Sequence, residues 1–223
     1  MLTIVIGNKA YSSWSLRGWL AVRQSALPYE ERVLPMYDAA WPERKKQPDL
    51  APSLGKVPTL WDDTTAVWDS LAILDYLNDI TGNRLFWPGD KAARALARSM
   101  AAEMHSSYGA LRQACSMNVR RIFPAQEPSA AVTADLARIA DLWTQARTTF
   151  GKDGPYLFGA FGAADIMFAP VVFRIQGYSL PVEGLAREYV ETMLRHPWMI
   201  EWVEAARRED WVLDQYEGGP VYR

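Results

Sequence analysis

Apolar and polar positions follow two different periods in the first third of the chain. Residues 2–6 form a short apolar run, which is typical of a buried strand. Apolar residues then recur at helical spacing over 16–20, directly after Ser12 and Ser13, residue types that favour a helix N-terminus. Residues 31–34 are predicted to form a second strand.

The next apolar segments predict a hairpin and another helix. Residues 59–61 and 66–68 are separated by polar residues and indicate two antiparallel strands. Apolar side chains at i, i+3, i+4 and i+7 follow Ser70, as in an amphipathic helix. The order β-α-β followed by β-β-α is that of a thioredoxin-like α/β domain, which we assign to residues 1–82.

Strands are no longer predicted after the turn-rich segment 87–90, which we take as the domain boundary. Helical spacing of apolar residues continues through the remaining sequence. The predicted helices cover 93–115 and 132–150, and further ones begin near Ala164, Glu183 and Trp198. We therefore predict an all-α helical domain over residues 91–223.

Composition and charge exclude several classes of function. Apolar residues make up 49% and charged residues 22%, as in ordinary soluble globular proteins. The net charge of −2 and the lack of a long basic tract predict no nucleic acid and no membrane as partner. With no recognisable signal peptide or long apolar run, a cytoplasmic location is expected. Cys115 is the single cysteine and there are two histidines, so no disulfide and no metal site are expected.

Four motifs, taken together, point to a known family. They are Ser-Ser-Trp-Ser-Leu-Arg at 12–17, Gly-Lys-Val-Pro-Thr-Leu at 55–60, Asp-Ser-Leu-Ala-Ile-Leu-Asp-Tyr-Leu at 69–77, and Gly-Ala-Ala-Asp at 162–165. In this order and on these predicted elements, the chain resembles the cytosolic glutathione transferases over essentially its whole length. The first motif resembles the serine-using, zeta-like bacterial branch.

The resemblance implies a thioredoxin-like domain followed by a helical domain. It also implies glutathione as co-substrate, a small hydrophobic electrophile as second substrate, and a homodimer.

The sequence departs from the family pattern at two positions. Trp14 stands where the zeta branch has a cysteine, which leaves the subfamily and an isomerase activity open. Gly162 stands where the late capping box normally has a serine or threonine.

The first motif suggests how a thiol could be activated. A free thiol has a pKa of about 8.5, so an enzyme must favour the thiolate. A hydroxyl that donates a hydrogen bond to sulfur and the positive end of a helix dipole both do so. The resemblance identifies Ser12 as the catalytic hydroxyl and Ser13 as a glutathione-binding neighbour. The alternatives are that Ser12 only caps the helix, and that Tyr11 is the active hydroxyl.

The other motifs would hold the rest of glutathione, as the resemblance implies. Pro58 is expected to follow a cis peptide bond, so that the backbone of Val57 pairs with the cysteinyl residue. Ser70 and the helix N-terminus would bind the γ-glutamyl carboxylate, and Asp69 the α-ammonium group. Lys56 is the best candidate for the glycyl carboxylate, and Lys45 and Lys46 are the alternatives.

The acceptor substrate is expected above the sulfur, between the two domains. Candidate pocket residues are Tyr11, Trp14, Met104, Tyr108, Arg112 and Arg174. A Met/aromatic stripe at helical spacing is also typical of a protein core. Arg174 is interpreted either as a partnered structural cation or as an anion site in the cleft, and Asp165 as part of a helix cap.

Two classes of function are consistent with these residues. The first is an enzyme that adds glutathione to a small electrophile, with isomerisation or peroxide reduction as close variants of the same thiolate chemistry. The second is a non-catalytic transferase-like module that binds hydrophobic ligands or protein partners. The presence of Ser12, Pro58 and Ser70 together favours the enzyme.

Overall fold

The computed structural model describes residues 1–222 and contains one four-stranded mixed sheet. The strands are Leu2–Gly7 (β1), Tyr29–Leu34 (β2), Thr59–Asp62 (β3) and Thr65–Trp68 (β4). Their order is β2-β1-β3-β4, in which β1 and β2 are parallel while β3 runs antiparallel to both β1 and β4. The predicted strands and hairpin are therefore confirmed.

Nine α-helices occur within the described residues. They are Ser13–Ser25 (α1), Trp41–Arg44 (α2), Ser70–Ile80 (α3), Lys91–Ser106 (α4), Gly109–Ala114 (α5), Ala130–Phe150 (α6), Ala163–Gly177 (α7), Gly184–Leu194 (α8) and Pro197–Arg207 (α9). All four strands precede α3, and α4 to α9 form the helical part, which confirms the predicted fold class. None of the helices in residues 1–222 has the length and apolar character to cross a bilayer.

The single long helix predicted over 93–115 is wrong, because the structure divides it into α4 and α5. The helix is interrupted at Tyr108, whose φ of 61° and ψ of 44° lie in the left-handed region. The Tyr108 hydroxyl donates to Glu103, and the carboxylate of Asp135 accepts from the Leu111 N–H in the first turn of α5. Apolar residues recur at helical spacing on both sides of this break, so the sequence pattern did not reveal it.

Helix α1 is packed on nearly all sides. Nine of its thirteen residues are buried, so it contacts the sheet on one face and the helical part on another. A Cβ atom on Gly18 would lie 2.6 Å from the Pro58 Cβ atom, so this close approach of α1 to the loop before β3 requires glycine. Trp19 packs against Trp202 of α9 with ring centroids 5.3 Å apart.

Helix α7 is the central helix of the second part. Fourteen of its fifteen residues are buried, which fits a helix that is apolar on all faces. The buried guanidinium of Arg17 in α1 donates from Nε to the Met167 carbonyl oxygen at 2.9 Å. This hydrogen bond ties the two parts of the chain together next to the N-terminus of α1.

Asp165 closes the N-terminus of α7, as the sequence indicated. Its carboxylate accepts from the Gly162 N–H at 2.9 Å, the Leu157 N–H at 3.1 Å and the Tyr189 hydroxyl at 2.9 Å. Burial raises the pKa of this carboxyl to about 6. A Cβ atom at Gly162 would lie 2.7 Å from the Phe86 carbonyl oxygen, which explains why the usual serine is absent from this box.

We expect Asp165→Ala to lower the free energy of unfolding by about 3 kcal/mol or more, because three donors lose their buried acceptor. Chemical denaturation measures this loss, and Asp141→Ala on the exposed face of α6 is the matched control. A change within about 0.5 kcal/mol of wild type, the range of ordinary surface substitutions, would contradict this role.

Candidate functional site

A cavity of about 490 Å³ opens at the N-terminus of α1, between the sheet domain and the helical part. Tyr11, Ser12, Ser13 and Trp14 line it from the α1 side. Ser107, Arg112 and Arg174 are among the residues that line it from the helical part. Six of the predicted site residues therefore share one cavity.

Ser12 is the N-cap of α1 and lies at this cavity. Its Oγ accepts from the Ser15 N–H at 3.2 Å and donates to the Ser15 Oγ at 2.7 Å. Ser15 Oγ in turn accepts from the Gly7 N–H at 2.9 Å. Because hydroxyl protons rotate, Ser15 can instead donate to Ser12 and leave the Ser12 O–H for a ligand. Capping and ligand binding are thus compatible at Ser12.

Tyr11 lines the same cavity, but its hydroxyl forms hydrogen bonds with the C-terminal segment. The hydroxyl donates to Glu217 Oε1 at 2.6 Å and accepts from the Leu213 N–H at 3.3 Å. Burial, together with the bond to Glu217, raises the pKa of Tyr11. The Tyr11 ring also stacks on Tyr216, with centroids 5.5 Å apart. Of the two candidate hydroxyls, Ser12 is the one without a carboxylate partner.

Two cations contact the ring of Trp14. The guanidinium carbons of Arg17 and Arg112 lie 4.8 Å and 4.9 Å from its ring centroid. The ring of His105 meets Trp14 edge-on at 5.4 Å. These cation–π contacts fix the indole at the cavity wall.

Asp69 caps helix α3, which begins at Ser70, and Asp69 is linked through His105 to Trp14 at the cavity. Asp69 has a φ of 54° and a ψ of 149°, a conformation that is strained for any residue other than glycine. Its carboxylate accepts from the Leu71 N–H at 2.8 Å and lies 2.8 Å from His105 Nε2. Ser70 Oγ is fully buried and has no hydrogen-bond partner among the described residues.

The loop before β3 contains the predicted cis peptide bond between Val57 and Pro58. Pro58 is buried against Gly18, Val57 is half-buried, and Lys56 is exposed. Within residues 1–222, neither the N–H nor the C=O of Val57 forms a hydrogen bond. Lys56, Val57, Pro58, Asp69 and Ser70 do not line the 490 Å³ cavity.

Met104 and Tyr108 differ from the expectation that they face the acceptor. Met104 is completely buried in the main apolar core. Tyr108, at the break between α4 and α5, is also buried, and its hydroxyl donates to Glu103 at 2.7 Å. Met104 and Tyr108 of the Met/aromatic stripe therefore belong to the protein core. The sequence analysis had kept this possibility as the alternative to a substrate pocket.

Sequence reasoning missed the contributions of His105 and Ser15. His105 bridges Asp69 and Trp14, which are distant in sequence, and no motif links these three positions. The sequence analysis assigned no role to Ser15, although its Oγ accepts a hydrogen bond from the Ser12 hydroxyl. Helical spacing offered one signal, since Ser12 and Ser15 are three residues apart and neighbours on a helix meet at that separation.

A larger cavity, of about 530 Å³, lies beside Trp87 and the start of α7 and contains none of the predicted site residues.

Within residues 1–222, no group of three or more His, Cys, Asp or Glu side chains is placed to hold a metal ion.

Comparison with protein families matches both parts of the chain. Residues 11–80 match the family described as Glutathione S-transferase, N-terminal domain, and residues 129–205 match Glutathione S-transferase, C-terminal domain. The two matches together span well over half of the chain. No curated protein matches the sequence.

Solved structures share the fold along nearly the whole chain. A glutathione transferase homolog from Burkholderia gl BGR1 with bound glutathione has a TM-score of 0.67 at 21% identity, covering 93% of this chain and 99% of that one. Maleyl pyruvate isomerase, a bacterial zeta-class glutathione S-transferase, has a TM-score of 0.66 at 19% identity, with coverages of 94% and 100%. Ure2p in complex with glutathione has a TM-score of 0.65 at 20% identity, with coverages of 91% and 94%.

At sequence identities of about 20%, the similarity to solved structures shows only that the fold is shared. The family to which the chain belongs is shown by the two family matches, one in each part of the chain. This protein belongs to the glutathione transferase family.

Proposed function

We propose that the protein binds glutathione, holds its sulfur as a thiolate with the Ser12 hydroxyl, and adds it to a small electrophile. The observation that carries the proposal is the position of Ser12, which is the N-cap of α1 and lines the cavity between the two parts. A thiolate there would receive a hydroxyl hydrogen bond and the positive end of the α1 dipole together. The homodimer and the cytoplasmic location remain predictions.

The binding of glutathione itself is supported by groups that lack partners inside the chain. Ser70 Oγ is buried without a hydrogen bond, and the backbone of Val57 is unpaired within the described residues. Buried polar atoms normally have partners, so such groups suit a ligand. Glutathione is present in the Burkholderia homolog and in the Ure2p complex. We therefore place the γ-glutamyl carboxylate at Ser70 and the cysteinyl backbone at Val57.

A second candidate function is glutathione binding without catalysis. It is favoured by one observation, the hydrogen bond of 2.7 Å that the Ser12 hydroxyl donates to Ser15. If this bond persists when glutathione is bound, Ser12 has no proton to offer the sulfur. The same residues would then bind glutathione with its thiol unperturbed.

We expect Ser70→Ala to weaken glutathione binding while leaving protein stability nearly unchanged. Its Oγ has no partner in the protein, so its removal leaves no other buried group unsatisfied. The matched control is Ser25→Ala, because Ser25 Oγ donates to the Val22 carbonyl oxygen and accepts from the Leu27 N–H. The control should lose stability and keep its affinity. Calorimetric titration with glutathione and thermal unfolding measure both properties, and an unchanged Kd in Ser70→Ala would remove Ser70 from the site.

We expect Ser12→Ala to lower turnover with 1-chloro-2,4-dinitrobenzene about ten- to a hundredfold at neutral pH, because a charge-assisted hydrogen bond is worth about 1.5–3 kcal/mol. Without that bond the thiol pKa rises, so activity should recover partly as the pH increases. The change also removes a helix cap. Asp90→Ala, which removes the cap of α4 away from this cavity, controls for that loss of stability.

Turnover over a range of pH therefore separates catalysis from capping. If Ser12→Ala keeps the wild-type pH profile and loses only as much activity as Asp90→Ala, the serine has a structural role alone.

A further inference from the structure

The loop that joins β1 to α1 is held by the helical part of the chain. The Lys9 N–H donates to Glu209 Oε1 at 2.7 Å, and the Ala10 N–H donates to Glu209 Oε2 at 3.2 Å. The Lys9 carbonyl oxygen accepts from Trp202 Nε1 at 2.9 Å. The Ala10 carbonyl oxygen accepts from the Val119 N–H at 3.0 Å. All four backbone polar groups of these two loop residues therefore have their partners in the helical part.

Glu209 provides two of these four hydrogen bonds from a buried position just after the end of α9. Its side chain is 8% exposed, and Arg120 Nη2 lies 3.4 Å from its Oε2 atom. Burial raises the pKa of this carboxyl, whereas the two backbone N–H groups and Arg120 favour its charged form. A buried carboxylate is costly unless its oxygens are hydrogen-bonded, so the two N–H groups of the loop are specific partners of this side chain.

A tight turn connects these contacts to Ser12. The Asn8 carbonyl oxygen accepts from the Tyr11 N–H at 3.2 Å and from the Ser12 N–H at 2.9 Å. Residues 9–12 are all buried. Because the turn runs from Asn8 to Ser12, contacts that fix its two middle residues also fix where Ser12 enters α1.

The position of Ser12 matters because a hydrogen bond depends steeply on distance and angle. In enzymes, a displacement of about 1 Å at a reacting group can lower the rate about a hundredfold. The Ser12 hydroxyl is already 2.7 Å from Ser15 Oγ. A small movement of the turn would therefore change how this hydroxyl is shared between Ser15 and a ligand.

We infer that Glu209 is a positioning residue, which holds the turn of residues 8–12 so that the Ser12 hydroxyl meets the sulfur of glutathione. The inference rests on the proposed function, because it concerns how Ser12 is placed for the same thiolate. Glu209 does not line the 490 Å³ cavity, so it acts through Ser12 and not by contact with a ligand. The helical part would then set the position of the thiol-activating group in addition to lining the cavity.

Glu209→Gln tests this inference, because it keeps the size of the side chain and replaces one accepting oxygen with an amide group that cannot accept. The matched control is Asp165→Asn, which makes the same change in another buried carboxylate that accepts from two backbone N–H groups outside this cavity. Glu204→Gln is the control for an exposed carboxylate on α9. For each full-length protein, ultraviolet titration gives the pKa of the bound glutathione thiol. Nuclear magnetic resonance gives the amide exchange rates of Lys9 and Ala10 without glutathione.

We expect Glu209→Gln to raise the pKa of the bound thiol by about half a unit to one unit, because the Ser12 hydrogen bond is weakened but not removed. Amide exchange at Lys9 and Ala10 should become about tenfold faster. Both controls should keep the wild-type thiol pKa, although Asp165→Asn loses stability. In a Ser12→Ala background, Glu209→Gln should cause no further rise, because both changes act on the sulfur through one hydroxyl.

A wild-type thiol pKa in Glu209→Gln would overturn the inference. An equal rise in Asp165→Asn would also overturn it, since the effect would then come from lost stability, and so would a full rise in the Ser12→Ala background. If Glu209→Gln does not fold, Trp202→Phe decides, because it removes the donor to the Lys9 carbonyl oxygen and keeps an aromatic ring in the core. An unchanged thiol pKa in that variant would overturn the inference as well.

The wild-type protein separates this inference from the proposed function. A wild-type bound thiol that titrates at about 8.5, like a free thiol, would contradict the proposed thiolate and this inference with it. A lowered wild-type pKa that Glu209→Gln leaves unchanged would contradict the role of Glu209 alone.

Discussion

The burial of helix α1 between the sheet and α7 is the constraint on which the site depends. Gly18 allows α1 to approach Pro58 closely, and the Arg17 guanidinium is bonded to the Met167 carbonyl oxygen of α7. With both sides of the helix fixed, its N-terminus is fixed as well. Ser12 and Trp14 consequently lie where the two parts of the chain meet, and not on the surface of either part.

The electrostatics of the cavity follow from this arrangement. The N-terminus of α1 contributes a partial positive charge, and Arg112 and Arg174 add two full charges from the opposite wall. Such a site suits an anion, which agrees with the thiolate that we propose at Ser12. Tyr11 contributes its ring to the cavity but directs its hydroxyl to Glu217, so it adds no donor for sulfur. We therefore propose different roles for Ser12 and Tyr11, because only the Tyr11 hydroxyl donates to a carboxylate, whereas the Ser12 hydroxyl donates to Ser15.

Much of the fold was predictable, because the periods of apolar residues report directly on strands and helices. The sheet and α3 follow from such local patterns, and the cap at Asp165 follows from the resemblance of its motif to the family's capping box. The break at Tyr108 and the link from Asp69 through His105 to Trp14 do not, since they arise when distant segments pack together. Motifs identified individual candidate residues, whereas the meeting of Arg112 and Arg174 at one cavity becomes visible only in three dimensions.

The most direct test of the central claim is the ultraviolet absorbance of the thiolate when glutathione is bound to the wild-type protein. Titration of this absorbance against pH reports the pKa of the bound thiol without any acceptor substrate. We predict a pKa at least about one unit below the value of about 8.5 for a free thiol, because the Ser12 hydroxyl and the α1 dipole both favour the charged form. A bound thiol that titrates at about 8.5, as it does in free solution, would contradict thiolate stabilisation at Ser12.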